Sequence, residues 1–374
     1  MAAPSDFHDI LQVLQKKSFK PNVPVERQVA SHVRELIRAK KLEAHLRLPP
    51  IRMLAELWDT NYFAVQGALS RLAGEGLIVQ SPKKGSFIAP QRRGLSRACL
   101  YHNQNLSSDW QLEFYSLLNI WLYRILSERG IVSVPYFDHR PENKMHIAPP
   151  EVRDMAKDGE IDAVIATSIY PKDTPWLIKL EVPVASLALE EPHGRIYVDS
   201  AELARLAIEE AVRYKRKSIG LIHRPESSRT GNRNLDELRA ELERLGAKNG
   251  ISVLCPEDEI PIETLTWEKY GFVFCEWMLK QKKRPDMVLV YPDVYIRGVA
   301  ASLMKHRVRV PKNILLVSYR NEESSIYLPF PMTWLTVKIE SYARALLEQI
   351  DRQIKGNKLL PVMIPLRVQH TVPQ

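Results

Sequence analysis

Leu48-Pro49-Pro50-Ile51-Arg52-Met53-Leu54-Ala55, then Asp59-Thr60-Asn61, then Ala68-Leu69-Ser70-Arg71-Leu72 and Glu75-Gly76-Leu77-Ile78, decide how the first quarter of the chain folds. The two prolines stop any preceding helix. A new helix is predicted over 51–58, with Leu54, Ala55 and Leu57 turned inward. Asp59-Thr60-Asn61 is a turn and a cap, and the next helix, 62–75, buries Val65, Ala68, Leu69 and Leu72. Gly76 ends it. A short strand at 77–80, a basic turn at 81–84 and a returning strand at 85–89 complete a winged helix-turn-helix.

Upstream, Phe7, Ile10, Leu11 and Leu14 form an i, i+3, i+4, i+7 stripe over 6–17, suited to core packing or a dimer contact. Val29, Val33, Leu36 and Ile37 repeat the pattern over 25–39. The charge is concentrated here. Residues 1–95 hold fifteen Lys or Arg against eight Asp or Glu, which is +7 of the net +9 carried by 374 residues. A basic quarter joined to a nearly neutral remainder points to a polyanionic partner.

The rest of the composition is that of an ordinary globular protein. No apolar run reaches about 18 residues and the N-terminus has no basic head before an apolar stretch, so neither a membrane helix nor a secretory signal is expected. Cys99, Cys255 and Cys275 lie far apart, which disfavours a disulfide framework or a zinc site and fits a reducing, cytoplasmic setting. No metal and no cofactor is expected.

Pro90-Gln91-Arg92-Arg93-Gly94-Leu95-Ser96 reads as a linker. The division is therefore 1–90 for the head, 91–96 for the linker and 97–374 for a larger domain. In that domain short apolar runs alternate with amphipathic helices. Strands are predicted at 98–102, 131–137, 162–167, 182–189, 195–198, 218–223, 251–254, 287–291 and 314–318. Helices are predicted at 110–129, 150–158, 201–214, 234–248, 265–280 and 294–306. The fold class is α/β, a doubly wound parallel sheet in two half-sets, with a ligand site at the C-terminal ends of the strands.

The head resembles GntR-type transcription regulators. The quoted runs, with Gly85-Ser86-Phe87-Ile88 as second wing strand, agree with that family in order over about 25–89. The resemblance implies that Arg52 grips a phosphate and that the start of the second helix reads bases. That start, Asn61-Tyr62-Phe63-Ala64-Val65-Gln66, departs from the Arg and Thr many members carry. Asn61 and Gln66 suit adenine edges, and Tyr62 suits a phosphate or a thymine methyl. Packing is the alternative for Tyr62 and Phe63, and a surface helix-cap role for Arg52. Lys83 and Lys84 at the wing tip reach phosphates or the minor groove, and Gly85 permits the turn.

The larger domain resembles the LacI-type sensor, built like a periplasmic sugar-binding protein. Tyr197-Val198-Asp199-Ser200, Lys217-Ser218-Ile219-Gly220-Leu221-Ile222, Tyr291-Pro292-Asp293, the run Val308 to Ile314 and Trp334-Leu335-Thr336-Val337 before a last helix carry the resemblance. It implies a two-lobed periplasmic-binding-protein-like domain with Asp199, Asp293 and Arg233 facing a ligand, and His102, Asn103 and Trp110 beside it. Helix capping by Asp199, core packing by Trp110 and a surface ion pair for Arg233 are the alternatives. Arg320, in Ser318-Tyr319-Arg320-Asn321 where relatives carry acids, would suit a sugar acid. Together these imply a homodimeric repressor that holds a double-stranded DNA operator and answers to a sugar or sugar-acid effector. A ligand-independent architectural DNA binder is the rival. A GntR-headed enzyme is disfavoured, because no catalytic motif is found and the second domain is short for a transaminase.

Overall fold

A computed structural model describes residues 7–15, 17–39, 41–43, 45–81, 84–89, 94–103, 109–223, 233–255 and 266–371, without the side chains of 38, 109–112, 142 and 233–235. The chain divides into two compact units, Met1–Arg97 with Pro149–Ala163, and Ala98–Ala148 with Val164–Gln374.

In the first unit, α1 (His8–Leu14), α2 (Val25–Arg38), α3 (Ile51–Leu57) and α4 (Tyr62–Gly74) enclose one core. The stripe read on α1 is packed inward: Ile10 and Leu14 are buried with Val29, Val33, Leu54, Leu69 and Leu72. Trp58 closes α3 and donates its Nε1–H to the Gln15 carbonyl at 3.0 Å. Strands β1 (Ile78–Ser81) and β2 (Gly85–Ile88) pair antiparallel, Ile78 opposite Ile88. The segment at 45–48 lies along β2, with Leu48 N–H donating to Ser86 and Ile88 N–H to Leu46. Gly76, at φ 72°, ends α4, and Gly85 begins β2 at φ 107°. Both are left-handed positions that favour glycine. The same unit contains α6 (Pro150–Lys157).

The second unit has two larger sheets and a two-stranded one. One has the order β4-β3-β5-β6, from β3 (Arg97–Asn103), β4 (Val132–Asp138), β5 (Ala163–Ser168) and β6 (Val184–Ser186). The other has the order β14-β12-β11-β10-β8-β9. It comprises β8 (Ser218–Ile222), β9 (Ser252–Leu254), β10 (Met287–Val290), β11 (Leu315–Asn321), β12 (Thr333–Val337) and β14 (Arg367–His370). All its pairings are parallel except β12 with β14. Strands β5, β10 and β12 are buried along their whole length, as both faces are covered. A separate parallel pair joins β7 (Ile196–Val198) to β13 (Val362–Ile364).

Helix α5 (Asp109–Glu128) packs on α11 (Ile339–Ile354), α7 (Ser200–Arg213) on α8 (Arg233–Asn249), and α9 (Trp267–Lys280) on α10 (Ile296–Lys305). The last crossing is made possible by two glycines. A Cβ on Gly298 would overlap the Glu268 carbonyl, and one on Gly271 that of Tyr295. This backbone-to-backbone approach fixes where the first turns of both helices stand.

Candidate functional site

The first unit presents the start of α4 to solvent. Tyr62 is 41% and Phe63 78% exposed, their rings edge-to-face at 5.7 Å. Packing therefore does not explain Phe63. Gln66, one turn on, is also exposed, as are Arg52 in the first turn of α3 and Lys84 and Gly85 in the wing. Asn61 caps α4, its Oδ1 accepting the Ala64 N–H at 2.8 Å. That bond occupies part of its acceptor capacity and leaves its NH₂ for a phosphate or base. Lys83 lies outside the described residues.

Behind this face α4 is tied down by charge. Arg34 of α2 is buried and donates to Glu75 through Nε at 3.1 Å and through Nη2 at 2.8 and 2.9 Å. Arg71 approaches Glu75 at 3.5 Å and donates to Glu160 at 2.6 Å.

The second unit contains a cavity of about 880 Å³ at the C-terminal ends of β10 and β11. Phe114 and Tyr115 of α5, Trp267 of α9, and Tyr291, Tyr319 and Tyr342 line it, with Glu113, Glu268, Asp293, Arg297 and Asn321 as polar groups. Phe114 meets Tyr342 edge-on at 5.5 Å, and the Tyr319 and Tyr342 hydroxyls are 3.1 Å apart. Burial pushes all three tyrosine phenols up, so they stay protonated. Asp293 is buried, which raises its pKa, and the Glu113 charge raises it further, to about 7. The Asn321 N–H and the charge of Arg320 offset this only in part. Arg297 lies 3.7 Å from Glu268.

Of the residues singled out for the ligand, Asp293 lines this cavity. Asp199 caps α7 instead, accepting the Ala201 N–H at 2.9 Å. His102 is packed between Phe137 and polar neighbours, its Nδ1 3.0 Å from Thr167 Oγ1 and 3.2 Å from Asn119 Nδ2. Burial lowers its pKa to about 4, so it is neutral. Asn103 is buried at the end of β3. Arg320 turns to the other face of β11, over the Trp334 ring at 4.5 Å, and donates to Gln369. The side chains of Trp110 and Arg233 lie outside the described residues. Sequence reasoning missed Glu113, Trp267, Tyr342 and the pair Tyr319 and Asn321. Period-two alternation was the available signal for the last two, since it puts them on the face opposite Arg320.

Residues 25–88 match the bacterial regulatory proteins of the gntR family, and residues 208–368 match the periplasmic binding protein-like domain. Comparison with curated protein sequences finds no match. Among solved structures, a LacI transcriptional regulator from a Rhodococcus species is 18% identical and superposes with a TM-score of 0.55 over 74% of this chain and 98% of its own. The Escherichia coli transcriptional repressor ascG is 13% identical, with a TM-score of 0.54 over 75% of this chain and 99% of its own. The transcriptional regulator CelR, solved as a cellobiose complex, is 18% identical, with a TM-score of 0.56 over 86% of this chain and 98% of its own. Among the described residues no helix is long and apolar enough to cross a membrane. The chain thus carries a GntR-type winged helix-turn-helix and a periplasmic-binding-protein-like domain, the makeup of a ligand-sensing transcription regulator, and it shares the fold of LacI regulators.

Proposed function

We propose that the protein is a cytoplasmic, homodimeric repressor whose hold on a DNA operator is set by a sugar or sugar-derived effector in the cavity at the ends of β10 and β11. The observation that carries this reading is the cavity itself. Its aromatic walls and inward-facing Asp293 and Asn321 are what a polyol needs, with flat faces for stacking and acceptors for hydroxyls. The cellobiose bound by the structurally similar CelR supports the same ligand class. Two heads would meet half-sites about 34 Å apart, and effector would bias the dimer between states of different operator affinity, with a coupling of about 1–3 kcal/mol. No catalytic step is part of this function.

DNA fragments retained by the purified protein, measured by fluorescence anisotropy with and without a sugar panel, test it. A saturable change in operator affinity is expected; affinity blind to every sugar overturns the sensing role. In the same assay Lys84→Ala is expected to weaken all DNA about equally and to lower the salt slope by about one. Gln66→Ala should instead cost about 1–3 kcal/mol at one base pair and relax preference there. A uniform loss from Gln66→Ala would remove it from base readout.

A further inference from the structure

We propose that the effector bears a protonated amine on a hydroxylated body, with the ammonium held by Glu113 and Asp293. This rests on reading the cavity as the effector site, and it narrows the ligand within that reading.

The argument is one of unmatched charge and unmatched acceptors. Glu113 and Asp293 both line the cavity and repel one another. Glu113 has one oxygen, Oε1, accepting the Ser325 N–H at 3.0 Å. Asp293 accepts from its own N–H and the Asn321 N–H, so each carboxylate still has acceptor capacity for a ligand. Asn321 is 8% exposed, lines the cavity, and its Oδ1 has no hydrogen-bond partner. A buried amide oxygen left unsatisfied is costly, and a ligand donor relieves it.

Among the described residues no arginine is hydrogen-bonded to these acids, and the charge of Arg320 offsets that of Asp293 only in part. Arg320 is turned onto Trp334 and Gln369, and Arg297 stands beside Glu268. An ammonium carries three donors, no acceptor and one positive charge, so it satisfies both carboxylates and the amide oxygen at once. Tyr291 and Tyr319 line the same cavity, and aromatic rings there add attraction for a cation. A sugar acid would bring a third negative charge to the same place, and a neutral sugar would leave the repulsion between the carboxylates in place.

The test is calorimetric titration of the full chain with D-glucosamine, D-galactosamine and D-mannosamine, each beside its parent hexose, and with D-gluconate as the acid. At least one amino sugar is expected to bind tenfold or more tightly than its parent, with gluconate weakest. In Glu113→Gln the ratio of amine to parent affinity should fall toward one, with the circular dichroism spectrum of the folded protein retained. A parent hexose or gluconate binding as tightly as any amine overturns the amine while leaving the sugar sensor standing. Silence from the whole panel overturns both.

Discussion

Asp293→Asn is expected to raise the melting temperature of the ligand-free protein at pH 8 by roughly 5–10 °C while removing its response to effector. The carboxyl titrates near 7 in the folded protein against 3.8 for the ordinary group, because burial and then the Glu113 charge oppose ionisation. A folded pKa above the unfolded one means that the native state holds the proton more tightly. Stability is therefore undiminished below about pH 4 and falls as pH rises toward 7. Above that, the ionised carboxylate costs on the order of 2–4 kcal/mol. Asparagine keeps the shape and the acceptor for the Asn321 N–H without the charge. Its advantage should be full at pH 8 and shrink toward nothing near pH 4. Thermal denaturation at both pH values decides the matter. A variant that melts lower at pH 8 would mean that Asp293 is satisfied in the free protein, and the cavity would lose its reason for binding a donor-rich ligand. The expected exchange of stability against response is what a site held ready for a ligand entails.

The elements that could be read from residues are those with local punctuation. Pro50, Asn61 and Gly76 bound α3 and α4 because each acts through its own backbone or its nearest neighbours. The buried strands β5, β8 and β10 announce themselves as apolar runs. Strands β13 and β14 were not foreseen. Both are short, β14 is exposed along its length, and it joins its sheet only as the antiparallel edge partner of β12. The site was harder still. Asp199 and Asp293 occupy the same place in sequence, each between a strand and a helix. One spends its carboxylate on the Ala201 N–H and lies outside the cavity, whereas the other takes the Asn321 N–H and lines it. Nothing local separates the two. Glu113 and Tyr342 sit on long helices in ordinary helical patterns, and only tertiary folding brings them to the same cavity as Asp293. Arg320 attracted notice as a departure in charge, but the alternation of β11 gave its place in the cavity to Tyr319 and Asn321.

Glu75→Ala is expected to destabilise the DNA-binding head by about 3–5 kcal/mol, enough to unfold much of it at 37 °C. The reason is the charge it leaves behind. Arg34 is 2% exposed, and three hydrogen bonds tie its guanidinium to Glu75. Without that carboxylate a guanidinium remains buried with its strong donors unanswered. The pair joins α2 to the last turn of α4, so its loss also frees the helix whose exposed start carries Tyr62, Phe63 and Gln66. Amide exchange in α2 and α4 should quicken together, and operator binding should fall at temperatures where the other unit is still folded. Replacing both partners, Arg34→Met with Glu75→Leu, leaves no orphaned charge. It should recover most of the lost stability and, with it, DNA binding. If instead the single variant costs less than about 1 kcal/mol, in the range of an exposed ion pair, then Arg34 is hydrated in solution and the clamp between α2 and α4 is apolar packing alone.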